Sequence, residues 1–171
     1  AMRPWLLLLM LLAAPAQALP EAARGEGDWR RLGSGDMTWF GLDLYRATLW
    51  VAGAVPAPPE PPLALVLEYK RAIPAERIVR ASEEEMRRLG AGEADLARWT
   101  AAMRALFPDV APGDTITGIH LPGGGARFYF REQRLGDIAD EEFARHFFAI
   151  WLDPRTRAPR LRGALLQAPP G

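Results

Sequence analysis

Polar side chains set inside otherwise apolar runs are the residues of this sequence that could do chemistry. Asp43, Tyr45 and Arg46 stand in "LDLYRATLWV", and Glu68 and Tyr69 in "ALVLEYK". His120 and Tyr129 stand in "DTITGIHLPGGGARFYF". An apolar pocket with a few convergent polar groups is the usual form of a small-ligand site. The same groups can also satisfy one another or face solvent from a sheet, and spacing alone leaves both readings open.

Other chemistries find little support. The chain has no cysteine, which excludes a disulfide framework, a thiolate metal site, a cysteine nucleophile and a lipid-modified cysteine. His120 and His146 are the only imidazoles, and neither has a partner at ligand spacing, so no metal or other cofactor is expected. Ser34 and Ser82 lie in no nucleophile-elbow motif, and Ser82 has capping-box spacing to Glu85. Formal net charge is zero and no basic stripe interleaves with aromatics, so no nucleic-acid partner is expected.

The elements that must position these residues can be read from periodicity. "GSGDMTWFGLDLYRATLWV", residues 33 to 51, predicts two strands joined at Gly41. Alternation puts Asp43, Tyr45, Ala47, Leu49 and Val51 on one face, with Leu44, Arg46, Thr48 and Trp50 on the other. The prolines of residues 54 to 64 predict an extended loop, followed by a buried strand over Ala64 to Lys70. Ser82 and Glu85 predict the opening of a short helix that Gly90 and Gly92 interrupt. Leu96, Trp99, Met103, Leu106 and Phe107 then form the apolar stripe of another. Residues 114 to 130 predict a hairpin turned by the triple glycine at 123 to 125, because a strand follows those glycines and not the helix a phosphate loop would need. Asp140 caps a helix with Phe143, Phe147, Ile150 and Trp151 as its stripe, and a last helix near Pro159 carries Leu161 and Leu165. Strands, helices, hairpin and helices in that order predict an α+β domain with an antiparallel sheet and helices on one face.

Arg3, the apolar run Trp5 to Ala14 and the small-x-small triplet Ala16-Gln17-Ala18 read as a secretory signal peptide over residues 1–18. Its removal takes one basic residue and leaves no membrane span, although retention as an anchor is the alternative. Residues 19–28 are then a linker, 29–167 the domain and 168–171 a tail. Export without disulfides suits a bacterial periplasm.

Three segments carry a family likeness: residues 33 to 51, "MRALFPDVAPGDTITGIHLPGGGARFYF" and "FFAIWLDPRTRAPRLRGALL". Together they resemble the chalcone isomerase-like domain in its exported bacterial branch, over roughly Trp29 to Leu166. The resemblance implies an open-faced β-sandwich, an antiparallel sheet backed by helices with a cleft for hydrophobic ligands. Its plant enzymes close a chalcone to a flavanone using an arginine after the first glycine-rich turn, a threonine on the next strand and a tyrosine after the third. Its non-catalytic relatives resemble fatty-acid-binding proteins, in which arginine and tyrosine hold the carboxylate. Here Asp36, Met37 and Thr38 follow the turn, Gly41 to Asp43 offer no hydroxyl, and no tyrosine lies between Tyr69 and Tyr129. Without the cation that stabilises the developing oxyanion, no catalytic residue is expected.

The expectation is therefore a non-catalytic protein binding a small hydrophobic or fatty-acid-like ligand. Arg46 is the first candidate for its carboxylate, with Arg71 and Arg127 as rivals, since arginine binds carboxylate bidentately. Tyr45, Tyr69 and Tyr129 complete the candidate set. Tyr45 and Arg46 cannot share one site without a bulge. An isomerase or lyase of a phenolic or enone substrate, and a scaffold for an unknown envelope protein, are the other readings.

Overall fold

The computed structural model describes residues 18–53 and 59–167. The expected signal peptide lies outside the described residues but for Ala18, as do the tail and residues 54–58 of the proline-rich segment.

One six-stranded sheet carries the fold. Its strands are β1 (Trp29–Trp39), β2 (Leu42–Ala52), β3 (Leu63–Tyr69), β4 (Thr115–Leu121), β5 (Gly125–Phe130) and β6 (Gln133–Ile138). They lie side by side in chain order and every neighbouring pair is antiparallel. Four helices complete it: α1 (Ala75–Arg88) and α2 (Glu93–Leu106) between β3 and β4, then α3 (Glu141–Leu152) and α4 (Pro159–Leu166) after β6. This is the expected α+β open-faced arrangement.

All four helices lie on one face of the sheet. There Ala47, Leu49, Val51, Leu65, Leu67, Ile116 and Phe128 meet Met86, Leu96, Trp99, Met103, Phe147, Trp151 and Leu165 in one core. The opposite face carries a smaller cluster of Ala64, Val66, Ile119 and Tyr129. Leu19 and Ala23, from a short 3-10 helix at Glu21–Glu26, are buried against it. Residues 19–28, read from sequence as a linker, thus help to close the open face. Trp29 Nε1 donates to the Ala23 carbonyl at 3.2 Å, and Glu21 N to Glu132 Oε2 at 2.8 Å. Covered on both sides, β3 is buried almost throughout, and that is why its sequence is a continuous apolar run.

Two elements differ from the sequence expectation. Helix α1 begins seven residues before Ser82, which lies mid-helix and donates to the Ile78 carbonyl at 2.8 Å. The start is fixed from a distance: Ala75 N donates to Asp109 Oδ1 at 2.7 Å, a cap 34 residues away that no local pattern reveals. The edge strand β6 was also not foreseen. Its "QRLGDI" is polar and interrupted by glycine, as an edge exposed to solvent favours.

The cap of α3 and the β4–β5 hairpin stand where the sequence places them. Asp140 caps α3, accepting from Phe143 N at 3.1 Å and also from Trp99 Nε1 at 2.9 Å and Arg98 at 3.4 Å. Burial works against the ionised form, but these three donors outweigh it and hold the carboxyl below its ordinary range. The triple glycine turns the β4–β5 hairpin. Gly125 has φ +81°, and a Cβ there would stand 2.2 Å from the Ile138 carbonyl oxygen and 2.7 Å from Asp140 N. No side chain fits this position.

The same substitution should have opposite signs at two glycines. Gly125→Ala should cost about 2–4 kcal/mol in urea unfolding. Gly163→Ala, inside α4 with nothing near its Cβ, should stabilise by about 0.5–1 kcal/mol. Asp140, with its folded pKa depressed, adds stability that is complete above the ordinary carboxylate range and lost as pH falls through the folded value. Asp140→Asn should therefore flatten the acid limb of a stability–pH curve measured by chemical unfolding.

Candidate functional site

Alternation along β2 and its register with β3 place two phenols side by side on the helix-facing side. Tyr45 and Tyr69 are direct cross-strand partners, with ring centroids 5.6 Å apart in edge contact. The last turn of α3 brings Trp151 over them, and its Nε1 donates to the Tyr45 hydroxyl at 2.8 Å. That bond joins residues 106 apart in sequence. Among the described residues the Tyr69 hydroxyl has no hydrogen-bond partner.

Burial is the main influence on both phenols and pushes each well above its ordinary range. The Trp151 bond partly offsets this at Tyr45, where the nearby Glu85 charge adds to the rise. Both groups therefore stay neutral across the physiological range. They can donate hydrogen bonds but cannot serve as phenolate bases. The oxygen of Tyr45 is engaged by Trp151, so its own proton is what remains to offer.

Beyond this pair the seam between sheet and helices is filled by rings. Phe147 makes edge contacts with Phe128 and Trp151, each at 5.2 Å. Gly118 on β4 allows Phe128 and Phe148 to close in, since a Cβ there would stand 3.2 and 3.3 Å from their rings. The remaining cavity, lined by Leu65, Leu67, Ile116, Gly118, Phe128, Phe147 and Trp151, measures about 10 Å³. That is about the least space that admits one water.

Arginines gather at the nearby rim. Glu85 on α1 pairs with Arg157 at 2.8 Å and with Arg88 at 3.1 Å, and Arg88 also donates to the Arg155 carbonyl at 2.9 Å. Arg162 Nε donates to the Leu152 carbonyl at 2.8 Å. None of these was singled out from sequence, because Arg88 on α1 and Arg162 on α4 look like ordinary solvated helix faces, and Arg155 and Arg157 lie in the loop between α3 and α4.

The other sequence candidates do not join Tyr45 and Tyr69. Arg46 faces the opposite side of the sheet, bonded to Asp36 at 3.0 Å and Ser34 at 3.1 Å. Arg127 forms a two-bond pair with Asp137 at 2.9 and 3.0 Å. Tyr129 is buried in the second cluster beside Val66 and Ile119. Arg71 is exposed just beyond β3, with no partner among the described residues. The structure thus brings together two of the six, and Trp151, read from sequence as a core residue, completes their polar group.

The histidines are each accounted for. His120 Nε2 lies 2.8 Å from Glu141 Oε1, and its ring stacks on Phe148 at 5.3 Å. His146 Nδ1 contacts the Glu142 carbonyl. Among the described residues no group of acids and histidines could hold a metal ion.

Removing one hydroxyl tests the central contact. Tyr45→Phe leaves the Trp151 indole N–H buried without an acceptor and should cost about 1–3 kcal/mol in urea unfolding. Tyr69→Phe, which breaks no hydrogen bond, should change stability by less than about 1 kcal/mol.

Comparison with known proteins gives a consistent pattern. A family model described as chalcone isomerase-like matches residues 32–167. An uncharacterized protein of Haemophilus influenzae is 28% identical over 138 residues, which is 81% of this chain and 68% of that protein. The crystal structure of a fatty-acid-binding protein of Arabidopsis thaliana superposes with a TM-score of 0.63 over 90% of each chain, at 14% identity. At that identity the likeness is one of fold.

Proposed function

The chain belongs to the chalcone isomerase-like family, and on that premise we propose that it is an exported, non-catalytic binder of a small hydrophobic, fatty-acid-like ligand. The observation that carries this reading is the buried Tyr45–Tyr69–Trp151 group in a seam otherwise lined by apolar side chains. Two neutral phenols with protons to donate suit a carboxylate or carbonyl head group. The apolar walls toward Phe128 and Phe147 suit a hydrocarbon tail. The fold shared with a fatty-acid-binding protein supports the same assignment.

The chemistry of the site supports a binding role over isomerisation. Ring closure of a phenolic substrate needs a base or a cation at the developing oxyanion. Tyr45 and Tyr69 hold their protons, and Arg46 faces away and is already engaged by Asp36. Support for export into a periplasm comes from the amino-terminal sequence, with Arg3, its apolar run and the Ala16-Gln17-Ala18 triplet.

One observation favours a second reading. A seam of about 10 Å³ takes an acyl chain only if Phe147 or Trp151 moves, whereas a scaffold protein needs no room there.

Solvent extraction of the purified protein followed by mass spectrometry separates the two. A carrier should release about one equivalent of an amphiphile from wild type and from Arg46→Ala. The Tyr45→Phe/Tyr69→Phe double variant should have lost it. An empty extract from folded wild type favours the scaffold.

A further inference from the structure

The tip of the β1–β2 hairpin presents the one group of large exposed apolar side chains among the described residues. Trp39 is 64% exposed, Phe40 85% and Leu42 43%. The Trp39 and Phe40 rings lie 4.7 Å apart, so they form one patch. Folding gains nothing obvious from it, because burial is what makes such side chains stabilising.

The turn itself gives no reason for a phenylalanine. Phe40 has φ +48° and Gly41 φ +75°. A two-residue hairpin turn with positive φ at both positions favours Asn-Gly, and a bulky residue there is strained. Phe40 thus stands where the backbone prefers asparagine, with its ring in solvent.

We propose that this tip inserts into the interfacial layer of a lipid bilayer. Its size decides between bilayer and protein. Three side chains on a narrow turn fall far short of the roughly 800 Å² that a stable protein partner covers on each side. Aromatic and leucine side chains enter a membrane interface singly or in small groups, where an apolar ring lies at the head-group level. The surroundings fit the same depth. From Thr38 to Leu42 there is no charge. At the base, the Lys70 backbone N–H bonds the Leu44 carbonyl and the Lys70 ammonium pairs with Glu68 at 2.9 Å. The adjacent Arg71 is exposed with no partner among the described residues, which places one available cation where lipid phosphates lie.

Asp43 is also at the base and Asp36 is paired with Arg46, so local charge is nearly balanced. Insertion is then driven by the apolar side chains and is weakly salt-dependent. Leu42 is three residues from Tyr45, roughly 10 Å of strand, so the tip touches lipid at the end of the sheet that holds the buried phenols. The insertion does not require that a ligand be bound.

Phe40→Asn tests this, because it suits the turn better than the native residue does. The chain from Leu19, as signal cleavage leaves it, and the same chain with Phe40→Asn would be floated with vesicles of phosphatidylethanolamine and phosphatidylglycerol, because the apolar run Trp5 to Ala14 would itself bind lipid. Wild type should float with the vesicles, and Phe40→Asn should lose roughly tenfold in partitioning while its unfolding midpoint holds or rises. Lipids brominated on the acyl chain should quench Trp39, a component that disappears in Trp39→Phe. Equal partitioning of the two proteins, absence of wild-type binding, or no quenching of Trp39 overturns the proposal. Loss of a co-purifying protein in Phe40→Asn with vesicle binding intact assigns the tip to a protein partner and also overturns it.

Discussion

A single sheet has two faces, and strand alternation decides which side chain goes to which. In β2 this puts Tyr45, Ala47, Leu49 and Val51 against the helices and Arg46, Thr48 and Trp50 on the other side. The rest of the structure follows that division. The helix side becomes the main core, and the other side needs a separate cover, supplied in part by Leu19 and Ala23. It also separates Tyr45 and Tyr69 from Arg46, so no carboxylate between sheet and helices can be held by Tyr45 and Arg46 together.

The polar contacts that cross the main core are few, and each ties distant parts of the chain. Trp151 to Tyr45 joins α3 to β2, and Trp99 to Asp140 joins α2 to the start of α3. At the surface, Asp109 to Ala75 fixes the beginning of α1. In a core packed by Phe128, Phe143, Phe147 and Phe148, such bonds orient the helices that ring packing alone would leave free to slide. The absence of cysteine makes this division of labour necessary. Orientation comes from buried hydrogen bonds, and stability from burial of the rings.

The same arrangement links the candidate site to the surface. The Tyr45–Trp151 pair sits at the end of α3, beneath a rim where Arg88 and Arg157 both hold Glu85. A tightly filled seam next to this rim means that any ligand competes with ring packing, and affinity depends on how readily Phe147 and Trp151 yield.

Much of the fold was legible in the sequence. Period-two runs marked the first strands, the apolar stripes marked α2 and α3, Asp140 marked a cap, and the triple glycine marked a hairpin. These signals are local, and the physics behind them acts over a few residues. The start of α1 was not legible because its cap comes from Asp109, 34 residues on, and β6 was missed because an edge strand needs no apolar face. Tyr45, Arg46, Tyr69 and Tyr129 were visible as polar groups in apolar runs, Arg71 and Arg127 entered as rival arginines for a carboxylate, and alternation separated Tyr45 from Arg46. What only the tertiary structure decided was the partner of each. Asp36 took Arg46, Asp137 took Arg127, and Trp151 took Tyr45, because hydrogen bonds form between groups that folding brings within 3 Å, at sequence separations no pattern encodes.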